Sequence, residues 1–144
     1  MSTKLGLPVM SRLGVVFLTW RRHLENGIRP YGITLKQQYL LRQLSAEGFL
    51  YPSDIADKLF CDRPTATVVI NNLKKYGFVY SAKDEDNGRR QRVMLTQKGY
   101  EKVAELAQRP GEDIDPLACF TNTEKAEFEK LLVKLHRYLK ANGL

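Results

Sequence analysis

The chain has 144 residues, 43% of them hydrophobic and 27% charged, with a formal net charge of +7. This length suits one domain with a real core, and the composition is that of an ordinary soluble globular protein. No apolar run approaches the ~20 residues that span a bilayer and the N-terminus lacks a signal-peptide pattern, so a cytoplasmic location is expected and membrane partners are not.

Residues 8–28 read as a helix. Pro8 suits a first turn, and Val9, Leu13, Val16, Phe17, Trp20 and Leu24 recur at spacings of three and four. Val15 and Leu18 fall outside that stripe, so the helix is apolar over a wide arc and needs more than one neighbour. Gly27 and Pro30 end it. Thr34 is a good N-cap for a second helix carrying Leu35, Tyr39, Leu40, Leu41 and Leu44, which Gly48 closes. Ser53, after Pro52, is expected to cap a short third helix with Ile55, Ala56 and Leu59 inward. Asp62 caps a fourth helix running to about Tyr76, with Pro64 tolerated in its first turn. Gly77 is the expected left-handed stop.

Residues 78–82 and 92–95 read as two strands around an Asn87-Gly88 turn. Thr96 caps a fifth helix containing Tyr100, Val103 and Leu106, broken by Pro110 and Gly111. Residues 111–120 are acidic and irregular. Thr121 and Glu124 form a capping box for the last helix, whose stripe is Phe128, Leu131, Leu132, Leu135, Tyr138 and Leu139. The expected fold is mainly α with a small β-hairpin.

The positive charge is uneven. Residues 58–102 carry ten basic and five acidic side chains, a balance of +5, against +3 for residues 1–57 and −1 for residues 103–144. A polyanion would be met by the middle of the chain. There, at 100° per residue, Ala66, Val69, Ile70 and Leu73 fall on one side of the fourth helix. The opposite side presents Pro64, Val68, Asn71 and Lys75, flanked by Thr65, Thr67 and Asn72. Short and linear groups of this kind approach base edges closely. Asparagine pairs bidentately with adenine, and threonine and valine methyls meet the thymine methyl. Arg63, Lys74 and Lys75 suit phosphates, as does the helix N-terminus.

The hairpin loop carries Lys83, Arg89, Arg90 and Arg92 among Asp84, Glu85 and Asp86. One role for an acid there is to hold an arginine in a fixed direction, since exposed ion pairs contribute only about 0–1 kcal/mol of stability. An arginine at a hairpin tip can enter a narrow minor groove.

Cys61 and Cys119 are far apart, and with only His23 and His136 beside them no metal-ligand spacing arises. The cysteines read as reduced core or surface residues, with a redox-sensing thiol as the alternative. No acid–base pair, activated nucleophile or phosphate-cradling glycine loop is present, so neither an enzyme nor a cofactor is expected.

The segments DIADKLFCDRPTATVVINNLKKYGFV, DEDNGRRQRVMLTQKGYE and NTEKAEFEKLLVKLHRYL together resemble the MarR family of bacterial winged helix-turn-helix regulators, over nearly the whole chain. The resemblance implies a homodimer whose first and last helices interleave. It also implies recognition of a pseudo-palindromic operator on double-stranded DNA, commonly as a repressor released by a small, often phenolic, ligand or by an oxidant. On matched positions Arg63, Thr65, Thr67, Asn71 and Lys75 face DNA and Arg89 is the wing arginine, with Ser53, Pro64, Val68 and Arg90 also in the DNA-facing set. Two departures stand out. The family often has arginine where Val68 stands. Its wing commonly reads acid, one residue, arginine, whereas Asp86 here is followed by Asn87, Gly88 and Arg89, leaving open which of Arg89 and Arg90 enters the groove.

The expected organisation is a single domain over residues 1–144, with a dimerisation region at 1–33 and 110–144 and a winged helix-turn-helix at 34–100. The wide apolar arc of the first helix (Val9, Leu13, Phe17) and the stripe of the last (Phe128, Leu131, Leu132, Leu135, Leu139) exceed what a thin winged-helix core covers, and a second copy would bury them. Trp20, His23 and Tyr39, with Phe17 and Tyr31, are either core or the lining of an aromatic-acid pocket with Arg21 or Arg22 as anion partner. The alternative to a sequence-specific regulator is a winged-helix protein-interaction adaptor.

Overall fold

The computed structural model describes residues 2–110 and 114–144, with side chains from residue 6 onward. The elements are α1 (Ser2–Ile28), a 3-10 turn (Arg29–Tyr31), α2 (Leu35–Glu47), α3 (Pro52–Lys58), α4 (Arg63–Lys75), β1 (Val79–Lys83), β2 (Gln91–Leu95), α5 (Gln97–Ala107) and α6 (Asn122–Ala141). The chain divides into two compact units, residues 1–112 and 113–144.

In the first unit, Leu40, Leu41 and Leu44 of α2, Ile55 of α3, Leu73 of α4 and Val93 of β2 are each at most 1% exposed and form the centre of the core. The helix starts follow from side-chain chemistry. Thr34 accepts the Gln37 amide (3.2 Å) and the Gln37 side chain accepts the Thr34 amide (3.0 Å), a capping box not evident from the Thr34 signal alone. The Asp62 carboxylate accepts the Thr65 amide (2.7 Å) at the start of α4, and Thr96 accepts the Gly99 amide (3.0 Å) at the start of α5. Gly77, at φ 78°, closes α4.

Three sequence expectations change. α1 begins at Ser2 rather than residue 8, so Pro8 is its seventh residue and forfeits one intrahelical hydrogen bond instead of lying where none is made. Ser53 does not cap α3. The cap is Tyr51, because Pro52 is preset for the first helical position and the Asp54 carboxylate accepts the Tyr51 amide (3.4 Å). The hairpin is not a two-residue Asn-Gly turn either. The strands pair from Val79↔Leu95 to Lys83↔Gln91, leaving a seven-residue loop, 84–90, in which Gly88 takes no positive φ. Asn87 opens that turn: its carbonyl accepts the Arg90 amide (2.9 Å) and its side chain the Arg89 amide (3.1 Å). The expected break at Gly111 lies outside the described residues.

Leu50, in the strap between α2 and α3, bridges to Val93 through reciprocal backbone bonds of 3.1 and 2.8 Å. β2 therefore has a partner on each side. Leu50, Val79, Val93 and Leu95 are buried. By alternation, Phe49, Tyr51 and Arg92 share the opposite face. The hairpin is locked to α5 at Gly99, where a Cβ would stand 2.1 Å from the Phe78 carbonyl oxygen, so only glycine fits the glycine position of the L-T-x-x-G segment.

In the second unit, Thr121 and Glu124 form the expected capping box (2.9 and 3.1 Å). Phe120 meets Phe128 edge-on at 5.5 Å, and Lys125 pairs with Asp115 at 2.8 Å, which holds that carboxyl below its ordinary range. None of the residues of α6 is buried.

Candidate nucleic-acid interface

α4 is buried along Ala66, Val69, Ile70 and Leu73, the four residues that helical spacing placed on one side. Arg63, Pro64, Thr67, Val68, Asn71 and Lys75 are exposed, and Thr65 is half-buried beside the cap. Val68 is 58% exposed, an apolar group facing outward among polar ones. The Thr67 hydroxyl donates to the Arg63 carbonyl (2.9 Å), so toward a ligand it offers an acceptor and a methyl rather than a donor. The Asp62 carboxyl is held below its ordinary 3.8 by the Thr65 side chain and amide, keeping the cap ionised at neutral pH. The face is short, uncrowded and framed by Lys74 and Lys75 in the last turn. Ser53 lies half-buried in the first turn of α3.

The wing is organised around Asp84, only 5% exposed in an otherwise exposed loop. The Tyr51 hydroxyl donates to one of its oxygens. The other accepts the Asp86 amide (2.8 Å) and faces a guanidinium nitrogen of Arg92 (3.4 Å). The tyrosine hydrogen bond, then the Asp86 amide, push the Asp84 carboxyl down to about 2. The same contact raises the Tyr51 phenol and favours its neutral form. Arg92 lies over the Phe49 ring (4.3 Å), and its Nε is buried without a partner among the described residues. The guanidinium of Arg90 lies 3.5 Å above the Tyr51 ring. Arg89, next to it, is exposed. Of the acids and arginines in this wing, Asp84 and Arg92 form the ion pair. Phe49 and Tyr51 carry no local sequence signal for this role, because these partners lie more than 30 residues away in sequence.

The MarR family model matches residues 33–90, from just before α2 to the end of the wing loop. YybA of Bacillus subtilis (strain 168), an uncharacterized HTH-type transcriptional regulator, is 32% identical over 101 residues, 69% of this chain and 66% of YybA, so the match spans a little under two thirds of that relative. The HTH-type transcriptional regulator FarR of Neisseria gonorrhoeae is 29% identical over 126 residues, 83% of this chain and 86% of FarR. The match to the MarR family thus covers α2 through the wing loop of this chain. Both relatives carry the name of HTH-type transcriptional regulators. The fold of this chain is that of a mutant MarR from E. coli complexed with operator DNA, with a TM-score of 0.79 over 89% of this chain and 93% of that one at 24% identity.

Outside the helix and wing, the family frame meets mixed ground. Trp20 and His23 stack with ring centroids 5.1 Å apart. A cleft of about 680 Å³ is lined by Phe17, Trp20, Arg21, Leu24 and Lys36, and reaches Val69 and Asn72 on the back of α4. His23 and Tyr39 do not line it. Val9, Val15, Val16, Phe17 and Leu18 of α1 are each at least 57% exposed, while Leu13 is half-buried. On α6, Leu131 is 53% and Leu132 38% exposed, and Phe128, Leu135 and Leu139 are half-buried. Cys61 is half-buried and Cys119 exposed, both as free thiols. Among the described residues no helix is long and apolar enough to cross a membrane, and no group of three or more His, Cys, Asp or Glu side chains could hold a metal.

Proposed function

We propose that two copies of this chain form a cytoplasmic homodimeric repressor that reads a pseudo-palindromic operator, with α4 of each copy in the major groove and each wing beside it. The observation that carries this reading is the outer face of α4. Val68 and Asn71 both stand exposed on a helix whose opposite side is fully committed to the core, in a fold shared with an operator-bound MarR. Asn71 supplies bidentate pairing to adenine, Val68 and Thr67 supply methyl contacts, and Arg63 and Lys75 neutralise phosphates.

The homodimer is supported by the apolar side chains left uncovered on α1 and α6. A second copy would bury them, as interfaces between permanently paired chains do. Release by a small aromatic acid is supported by the cleft behind α4, where Trp20 offers a ring and Arg21, paired with Glu25 at 3.0 Å, offers a cation. A ligand there would touch the helix that reads DNA, through Val69 and Asn72.

The test is selection of bound duplexes from a random pool, followed by fluorescence anisotropy on the winner across salt. The expected result is one inverted repeat and an affinity falling steeply with salt, since each neutralised phosphate adds about −0.9 to the slope. Equal affinity for unrelated duplexes would overturn the reading. Sedimentation of Leu131→Asp should show monomer where the wild type shows dimer.

A further inference from the structure

We propose that Tyr51 and Asp84 are positioning residues for the wing: together they tie the hairpin loop to the strap between α2 and α3, park Arg90 on the Tyr51 ring, and leave Arg89 as the arginine that enters the minor groove. The inference rests on the operator-binding reading above. Asp84 is the one buried side chain in the exposed stretch 83–91. Its oxygens are held from three directions, by the Tyr51 hydroxyl, the Asp86 amide and Arg92. Its own amide donates to the Arg90 carbonyl (2.9 Å), which fixes the mouth of the loop. Arg90, at 3.5 Å from the Tyr51 ring centroid, is therefore held at both backbone and side chain. Arg89 is one residue away, its amide pinned by Asn87 and its side chain exposed. A loop ordered before DNA arrives loses less conformational freedom on docking. None of these contacts involves α4, so the device acts on the wing and leaves the recognition helix in place.

The experiment uses the full chain and a duplex selected by the wild-type protein. Anisotropy is measured for Tyr51→Phe, Asp84→Asn, Arg89→Ala, Arg90→Ala and the double variant Tyr51→Phe/Arg89→Ala. Tyr51→Phe should weaken binding about 5-fold and Arg89→Ala about 10-fold, with the double variant no weaker than Arg89→Ala alone, as for groups acting through one another. Arg90→Ala should weaken binding less than Arg89→Ala. Amide exchange in the free protein should quicken over residues 84–90 in Tyr51→Phe and stay unchanged over α4. The proposal is overturned if Tyr51→Phe binds like the wild type, if its loss multiplies with that of Arg89→Ala, or if loop exchange does not change. Should Asp84→Asn fail to fold, Tyr51→Phe still decides the matter. Absence of any preferred duplex for the wild type would sink the operator reading and this proposal together, whereas multiplying losses on a preferred duplex would sink this proposal alone.

Discussion

α4 is seated by four apolar side chains, Ala66, Val69, Ile70 and Leu73, each at most 8% exposed, whereas the wing loop hangs from the single buried carboxylate of Asp84. The two segments flank one another in the winged helix, yet different physics holds them. Apolar burial scales with area and carries no proton. A carboxylate anchor depends on its ionisation and on each partner being present. α4 is thus fixed by the same core that folds this unit, while the anchor of the wing loop lies outside that core.

Removing a core contact beneath α4 should have the largest effect. Leu73 is 0% exposed, and Leu73→Ala leaves a cavity where α4 meets the rest of the core. The expected loss is about 2–5 kcal/mol of unfolding free energy, measured by urea denaturation. DNA binding should fall in step with the folded fraction. A loss under about 1 kcal/mol would mean that the seat of α4 collapses around the gap and that its contrast with the wing is overstated.

Next in size is the outer face of the same helix. Asn71→Ala should cost about 1–3 kcal/mol at one base position and flatten preference there, read by competition with single-base variants of the selected duplex. Lys75→Ala should weaken all sequences alike and lower the salt slope by about 1. If both variants shift every sequence equally, α4 is a phosphate clamp and not a reader.

These two regions also differ in how far the bare sequence discloses them. The 3.6-residue period placed Ala66, Val69, Ile70 and Leu73 inward and left Val68 and Asn71 outward, because a helix face is set by residues three and four apart. The Asp62 and Thr96 caps were legible for the same reason, since their partners lie three residues on. The wing cluster was not legible. Tyr51 meets Asp84 across 33 residues, a contact that exists only because Leu50 bridges to Val93 and brings the strap beside β2. The Asn87-Gly88 pair suggested a tight turn by composition, but Asp84 and Arg90 close the loop further out. Ser53 looked like a cap because serine commonly is one, while Pro52 at the first helical position moved the cap two residues earlier, to Tyr51.

Acid should separate the two regions by a smaller margin. Asp84 has an ordinary carboxylate value of 3.8 that the Tyr51 hydroxyl, first among several contacts, lowers to about 2. A depressed carboxyl contributes stability above the unfolded value and loses it as pH falls through the folded one, so the wing anchor is complete above 3.8 and fades toward 2. Asp62 is lowered as well, and the first turn of α4 should fray in the same direction, while the interior of α4 carries no such group. Carbon-13 titration of the side-chain carboxyls should show the Asp84 midpoint near 2 in the wild type and shifted toward 3.8 in Tyr51→Phe. An unmoved midpoint would remove Tyr51 from the account of this anchor.

The smallest effect concerns the turn that delivers α4 to its seat. Phe60, between α3 and α4, has φ 52° and is 82% exposed. It occupies the left-handed position after a helix where glycine is usual, with the next amide, that of Cys61, reaching back to the Ala56 carbonyl (3.1 Å). A side chain there costs about 1–2 kcal/mol relative to glycine. Glycine in turn adds unfolded-state freedom that offsets about 0.4–1 kcal/mol, and an 82% exposed ring has little packing to lose. Phe60→Gly should therefore raise stability by a few tenths to about 1 kcal/mol, or roughly 2–4 °C at most in Tm for a chain of this size. Thermal unfolding of the variant checks the sign. A clear loss of stability would mean that the ring is covered in the native assembly, and that the turn is held by contacts beyond its own chain.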